Sequence, residues 1–133
     1  MQVTPYLMLD GRCEEALEFY KQAVGAEIGM VMRFNEAPDQ AGCPPNASNK
    51  IMHSSFKVGD TLLMATDGDN NGKPTFAGVS LAVTVKDEAE ADKVFAALSA
   101  GGQVQMPLAQ TFFAKKFGVL ADKFGVNWMI VTE

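Results

Sequence analysis

The stretch Asp122-Lys123-Phe124-Gly125-Val126-Asn127-Trp128-Met129-Ile130, near the end of the sequence, carries the strongest indication of the fold. Its apolar second half predicts a strand from Val126 to Val131. Upstream, the spacing of apolar residues predicts a strand, a helix and two more strands. These are Val79 to Val85, Asp87 to Ser99, a strand near Val104, and Phe112 to Leu120. The second half of the chain is therefore predicted to be a βαβββ module.

The first half of the sequence shows the same order of patterns. A short strand at Leu7 to Leu9 precedes a helix that ends before Gly25, and a further strand follows. Three more segments are a long loop rich in proline and short polar residues, and two strands separated by Gly59-Asp60. The ranges after the helix are Ile28 to Phe34, loop Asn35 to Asn49, Ile51 to Val58 and Thr61 to Thr66. This half is predicted to be βαβββ as well.

An offset of 76 residues aligns the two halves, because it places Phe19 on Phe95 and Gly25 on Gly101. We predict one α+β domain over residues 1–133, with module 1 at 1–66, a linker at 67–78 and module 2 at 79–133. One helix covers one face of each module, so two bare faces would form an open, cupped mixed sheet around a pocket. The alternative is a chance match between two amphipathic helices that each precede a glycine.

Composition excludes several classes of protein. Of the 133 residues, 47% are hydrophobic and 20% are charged, which is typical of a folded domain. The formal net charge is −5 and no run of basic residues occurs, so no nucleic-acid partner is expected. No membrane partner is expected either, since neither a secretory signal nor an apolar run of membrane-spanning length is present. Cys13 and Cys43 lie far apart, which favours a reducing, cytoplasmic location without disulfides.

Several short motifs resemble the PhnB-like subgroup of the vicinal oxygen chelate superfamily, which includes glyoxalases, bleomycin-resistance proteins and dioxygenases. Besides the stretch quoted above, they are Pro5-Tyr6-Leu7, Phe19-Tyr20, Ile51-Met52-His53, Val58-Gly59-Asp60 and Gln110-Thr111-Phe112-Phe113-Ala114. The resemblance spans nearly the whole chain. It implies a glyoxalase/bleomycin-resistance fold, a small-molecule ligand and a homodimer.

The resemblance also implies a divalent metal held by four His or Glu side chains, but the matching positions do not carry them. These positions are Val3, Met64, Ser80 and Met129. Valine has no donor atom, thioethers are soft ligands and a serine hydroxyl is a weak neutral one. We therefore predict no cofactor, and a divalent metal would need a different ligand set. PhnB-like domains have also carried a methyltransferase label, yet no glycine-rich strand-to-helix loop for such a cofactor is present.

His53 is the single histidine and the candidate catalytic residue. If Gly59-Asp60 is a two-residue hairpin turn, Ser55 pairs with Met64 and His53 with Thr66, which places His53 on the face opposite the helix. The alternative is a histidine that only caps a polar patch. The predicted pocket residues are Val3, Ser55, Met64, Thr66, Ser80, Phe113, Asn127 and Met129. Arg12 and Arg33 could bind an anion or could be ordinary surface charges.

Two functions are consistent with these patterns, beside a third interpretation as a purely structural or interaction module, which predicts no pocket. The first is a metal-free protein that binds a small amphipathic or aromatic molecule. The second is a lyase or oxidoreductase-like enzyme in which His53 acts as general base or joins a non-standard metal set. The long loop from Asn35 to Asn49 would be a lid over the pocket or a surface insertion.

Overall fold

A computed structural model describes residues 1–39, 42–68 and 73–133. By its internal contacts the chain divides into two units, Met1–Pro74 and Thr75–Glu133. The boundary lies inside the segment 67–78 that the sequence suggested as a linker. No helix in the described part of the chain is long and apolar enough to cross a bilayer.

The first unit is a four-stranded mixed sheet with one helix. Its elements are β1 (Tyr6–Met8), α1 (Cys13–Val24), β2 (Glu27–Arg33), a 3₁₀ turn (Phe34–Glu36), β3 (Ile51–Val58) and β4 (Thr61–Thr66). The strand order is β1-β4-β3-β2. β1 runs parallel to β4, whereas the other pairs are antiparallel. The predicted βαβββ order of this half is confirmed.

The second unit repeats this topology. Its elements are β5 (Leu81–Val85), α2 (Glu88–Ser99), β6 (Gln103–Ala109), β7 (Lys116–Ala121) and β8 (Asn127–Thr132). The order β5-β8-β7-β6 again pairs the first strand in parallel with the last. The α+β fold built from two βαβββ modules is thus confirmed, and the sheets are open.

The register of the β3–β4 hairpin follows the sequence prediction. Val58 pairs with Thr61 and Ser55 with Met64. Phe56 lies on the opposite face, where it is buried and stacks on Tyr20 of α1 with ring centroids 5.9 Å apart. Because side chains alternate along a strand, this packing fixes which face of the sheet α1 covers and which face stays open.

The predicted strand from Phe112 to Leu120 was wrong at its start. β7 begins at Lys116, because the Thr111 hydroxyl accepts hydrogen bonds from the backbone N–H groups of Phe113, at 3.3 Å, and Ala114, at 3.0 Å. A hydroxyl that takes up nearby N–H groups favours a turn over a sheet ladder. The apolar character of Phe112 and Phe113 therefore did not indicate a strand.

Each unit contains a buried aspartate whose carboxylate accepts hydrogen bonds from other residues of that unit. In the first unit, the Asp67 carboxylate accepts the N–H of Cys13 at 2.7 Å and the N–H of Ile51 at 2.6 Å. It thereby joins the first residue of α1 to the first residue of β3. In the second unit, Asp122 accepts the indole N–H of Trp128 at 2.9 Å, so the buried tryptophan has its polar group satisfied.

The loop between β2 and β3 is tied at its two ends to α1 and to the turn that precedes it. The Arg33 guanidinium donates to the Glu14 carboxylate at 2.8 Å and to the Asn49 carbonyl at 2.7 Å. Lys50 donates to the Gly11 carbonyl at 2.9 Å. The suggested lid includes residues 40 and 41, which lie outside the described residues, so the lid stays a prediction.

We predict that Asp67→Asn lowers the free energy of unfolding by about 3 kcal/mol. An asparagine retains one acceptor oxygen, so one of the two buried N–H groups loses its charge-assisted bond and faces an NH₂ donor instead. Asp87→Asn is the matched control, because Asp87 caps α2 at an exposed position and asparagine caps equally well. Urea denaturation measures both variants, and equal effects would contradict the role assigned to Asp67.

Candidate functional site

The open face of the first unit is the candidate site. Leu7, Phe56 and Leu63 are buried on the face that α1 covers. The alternate residues point the other way, and most are partly or well exposed: Tyr6, Met8, Met32, His53, Ser55 and Met64. Tyr6 and the three methionines are apolar over most of their surface. The Tyr6 hydroxyl and the His53 imidazole are in hydrogen-bonding contact. The face combines an adaptable methionine surface with a few hydrogen-bonding groups.

Tyr6 and His53 form the polar centre of this face. The Tyr6 hydroxyl lies 2.8 Å from His53 Nδ1, and the ring centroids are 5.6 Å apart. Tyr6 lies on β1 and His53 on β3, and β4 lies between these strands. Tyr6 pairs with Met64 of β4 in the parallel ladder, and its hydroxyl reaches across β4 to the imidazole. Partial burial raises the pKa of the Tyr6 phenol above its ordinary value, which already lies well above neutral pH, so the phenol is protonated.

Ser55 is the second polar group of the face, and a bulge in β2 positions it. The register of β2 against β3 shifts between Ile28 and Val31. In this bulge Ser55 Oγ accepts the N–H of Met30 at 3.1 Å. A Cβ on Gly29 would lie 2.8 Å from Ser55 Oγ, so only glycine leaves room for the hydroxyl.

The other residues predicted for the pocket in this unit are distributed differently. Val3 lies before β1 and is 91% exposed. Thr66 is 7% exposed, and its hydroxyl donates to the Met52 carbonyl at 2.7 Å. Met64 lies between Tyr6 and Ser55 in the register. The structure therefore brings together His53, Ser55 and Met64, and separates them from Val3.

Sequence reasoning missed Tyr6 as a site residue. Alternation with the apolar Leu7 and Leu9 was a signal that Tyr6 faces away from the helix. Its partner His53 could not be found this way. The two side chains meet only because β1 pairs with β4, and this pairing joins segments 58 residues apart at Tyr6 and Met64.

The second unit has its own open face, which holds the remaining predicted residues. Met129 pairs with Val119 and Ala82, and Asn127 accepts from Gln105 and donates to the Val79 carbonyl. Phe113 packs edge-on against Phe117, with centroids 5.1 Å apart. Ser80 is exposed, directly before β5. This face is apolar and aromatic, with an amide at one end.

The donor atoms at the positions implied for a metal do not fit a hard divalent cation. Val3 contributes none, Met64 and Met129 contribute thioethers, and Ser80 contributes one hydroxyl. Among residues 1–39, 42–68 and 73–133, no three His, Cys, Asp or Glu side chains are grouped as metal ligands would be.

The two arginines suggested as anion ligands are paired with carboxylates. Arg12 lies 3.2 Å from Glu15, and Arg33 lies 2.8 Å from Glu14. The hydrogen bond from Arg33 holds the pKa of Glu14 below its usual value. Both pairs involve α1, so these side chains serve the helix and the adjoining loop.

A comparison with protein-family models gives the family. Residues 1–131 match the model described as 3-demethylubiquinone-9 3-methyltransferase. A Bacillus cereus structure with that putative description, also called a PhnB protein, is 33% identical; all of both chains is covered, with a TM-score of 0.84. This chain is a PhnB-like protein. It belongs to the glyoxalase/bleomycin-resistance superfamily, as the sequence motifs indicated.

Two further relatives of the PhnB-like protein support the assignment. The structure of PA1353 from Pseudomonas aeruginosa is 39% identical, covers 100% of this chain and 98% of its own, and has a TM-score of 0.88. The protein YjdN of Escherichia coli is 32% identical over 98% of this chain and 94% of its own length. Neither name states a ligand or reaction.

We predict that Gly29→Ala destabilises the PhnB-like protein by about 2 kcal/mol, because the new methyl group displaces Ser55 Oγ from its bond with Met30. In a Ser55→Ala background the same change should cost about 1 kcal/mol less, since the clashing oxygen is absent. Gly42→Ala is the control, because nothing lies within 4 Å of its added Cβ. Additive losses in urea denaturation would show that Ser55 Oγ does not occupy this position.

Proposed function

We propose that this PhnB-like protein binds a small, largely apolar molecule on the open face formed by β1 to β4. The observation that carries the proposal is the Tyr6–His53 hydrogen bond at 2.8 Å, on a face that also carries Met8, Met32 and Met64. Ligand sites commonly combine an apolar lining with a few polar groups that orient the ligand. Ser55 adds a second such group beside Met64.

The methionines support binding of an irregular apolar body. Met8 is 57% exposed although it lies in a strand. Met64 lies on the strand between Tyr6 and His53, and Met32 pairs with His53 on the other side. An unbranched, polarisable side chain adjusts its rotamer to the shape of a ligand at small cost. A pliable floor with fixed polar groups favours recognition of a ligand by its polar atoms.

A second candidate function is acid–base catalysis by His53. The bond from Tyr6 to Nδ1 orients the imidazole, as a partner on one ring nitrogen does in histidine-dependent enzymes. His53 Nε2 would then exchange a proton with a bound substrate. The family description names a methyl transfer, but this sequence has no glycine-rich strand-to-helix loop of the kind that binds a methyl donor.

Action in a reducing compartment such as the cytoplasm is supported by the cysteines. Cys13 and Cys43 are both free. Burial raises the pKa of the Cys13 thiol to about 12, so it stays a neutral thiol packed beside Ser54.

A homodimer is supported by apolar side chains exposed on both sheets and on the turn before β7. They include Met8, Met30, Val104, Met106, Phe112 and Phe113. Clusters of exposed apolar residues indicate an interaction surface, and identical chains pair most often about a twofold axis.

We predict that sedimentation equilibrium at micromolar concentration gives twice the chain mass of 14.3 kDa. A single chain mass under these conditions would contradict the dimer.

The binding function predicts that 4-ethylacetophenone, a small apolar probe, shifts the backbone amide signals of β1, β3 and β4 in ¹⁵N spectra. Met64→Glu should weaken the probe at least about tenfold, because a carboxylate on the apolar floor must lose hydration when the probe binds. Met64→Leu is the matched control and should bind within about threefold of the original protein. If Met64→Glu leaves affinity unchanged, or the shifts map to α1 alone, the proposed site is wrong.

A further inference from the structure

We infer that the open face of the first unit presents hydrogen-bond donors, His53 Nε2–H and Ser55 Oγ–H, and so selects apolar molecules that carry neutral acceptor oxygens such as carbonyls. The ligand class rests on the proposed binding function. The protonation pattern of His53 does not, since it is a property of the free protein.

The first step concerns the direction of the Tyr6–His53 bond. A phenol is a good donor, and a tyrosine is protonated at neutral pH even at its ordinary pKa, which burial raises further for Tyr6. A neutral imidazole has one nitrogen with a proton and one without. If Tyr6 donates to Nδ1, the imidazole proton must lie on Nε2. This direction is favoured because a phenol O–H is a stronger donor than a neutral imidazole N–H, and the bare imidazole nitrogen is a stronger acceptor than the phenol oxygen.

The second step concerns Ser55. Its oxygen accepts the N–H of Met30, which leaves the hydroxyl hydrogen to be donated. Because Ser55 is partly exposed, this hydrogen can point to solvent or to a bound molecule. The bulge at Gly29 holds the oxygen in place, so a bound molecule that accepts this hydrogen replaces solvent at a fixed position.

The third step concerns the spacing of the two donors and the charges near them. His53 and Ser55 are two residues apart on β3, so their side chains project side by side from Cα atoms about 7 Å apart. Lys57 follows on the same face, but Glu27 lies directly opposite it in the register and offsets its charge. With a net charge of −5 as well, neutral acceptors fit this face better than anions.

The tautomer is tested by ¹⁵N NMR of the imidazole, which is unambiguous because His53 is the only histidine. Through a pH titration, the neutral form should show Nδ1 as an unprotonated nitrogen and Nε2 as a protonated one. In Tyr6→Phe this preference should diminish, with the two nitrogen signals moving towards each other. A neutral form with its proton on Nδ1 in the original protein would overturn the inference, whatever the outcome of ligand binding.

The ligand class is tested with two probes of matched shape, 1,4-diacetylbenzene and 1,4-diethylbenzene, titrated into ¹⁵N-labelled protein. The diacetyl probe should bind at least about fivefold more tightly, since one net hydrogen bond contributes about 1 kcal/mol. Its advantage should shrink in Ser55→Ala and in His53→Phe. Equal affinities would overturn the donor inference but leave apolar binding intact, whereas binding of neither probe would remove both the proposed function and the ligand class.

Discussion

A single helix covers only one face of a four-stranded sheet, and this constraint determines where each unit can meet a ligand or a partner. In the first unit α1 occupies the face that carries Phe56 and Leu63, and their burial leaves the alternate side chains uncovered. Tyr6, His53, Ser55 and Met64 belong to that uncovered set. The second unit obeys the same constraint, with α2 on one face and Met129 and Phe117 on the other. The candidate sites therefore follow from the βαβββ topology itself.

The placement of the helix depends on the buried carboxylate of Asp67. It accepts N–H groups from the first residue of α1 and the first residue of β3, and both donors would otherwise be buried without partners. The strand that carries His53 thus begins at a point fixed relative to α1. Between Ile51 and His53 the register against β2 shifts, so the pairing of β3 with β4 sets the alternation that places His53 and Ser55 on the open face.

The chemistry of the first open face differs from what the superfamily resemblance implied. The four implied metal positions supply thioethers, one hydroxyl and one side chain without a donor. The face instead has a tyrosine in hydrogen-bonding contact with its one histidine and a serine set in a bulge. These groups can orient a ligand or move a proton. The fold is thus shared with the superfamily, while the four implied metal positions do not carry the His or Glu ligands that the resemblance implied.

The sequence by itself determined the order of elements, the internal repeat and the register of the β3–β4 hairpin, because periodicity and a two-residue turn act locally. It also placed His53, Ser55 and Met64 on one face. It did not determine that the strand after Thr111 begins only at Lys116, since a side-chain hydroxyl there takes up backbone N–H groups. Only the tertiary structure brought Tyr6 to His53, committed the Thr66 hydroxyl to the backbone and left Val3 outside β1. These features depend on pairing between distant segments and on bulges, which the local alternation of residues does not encode.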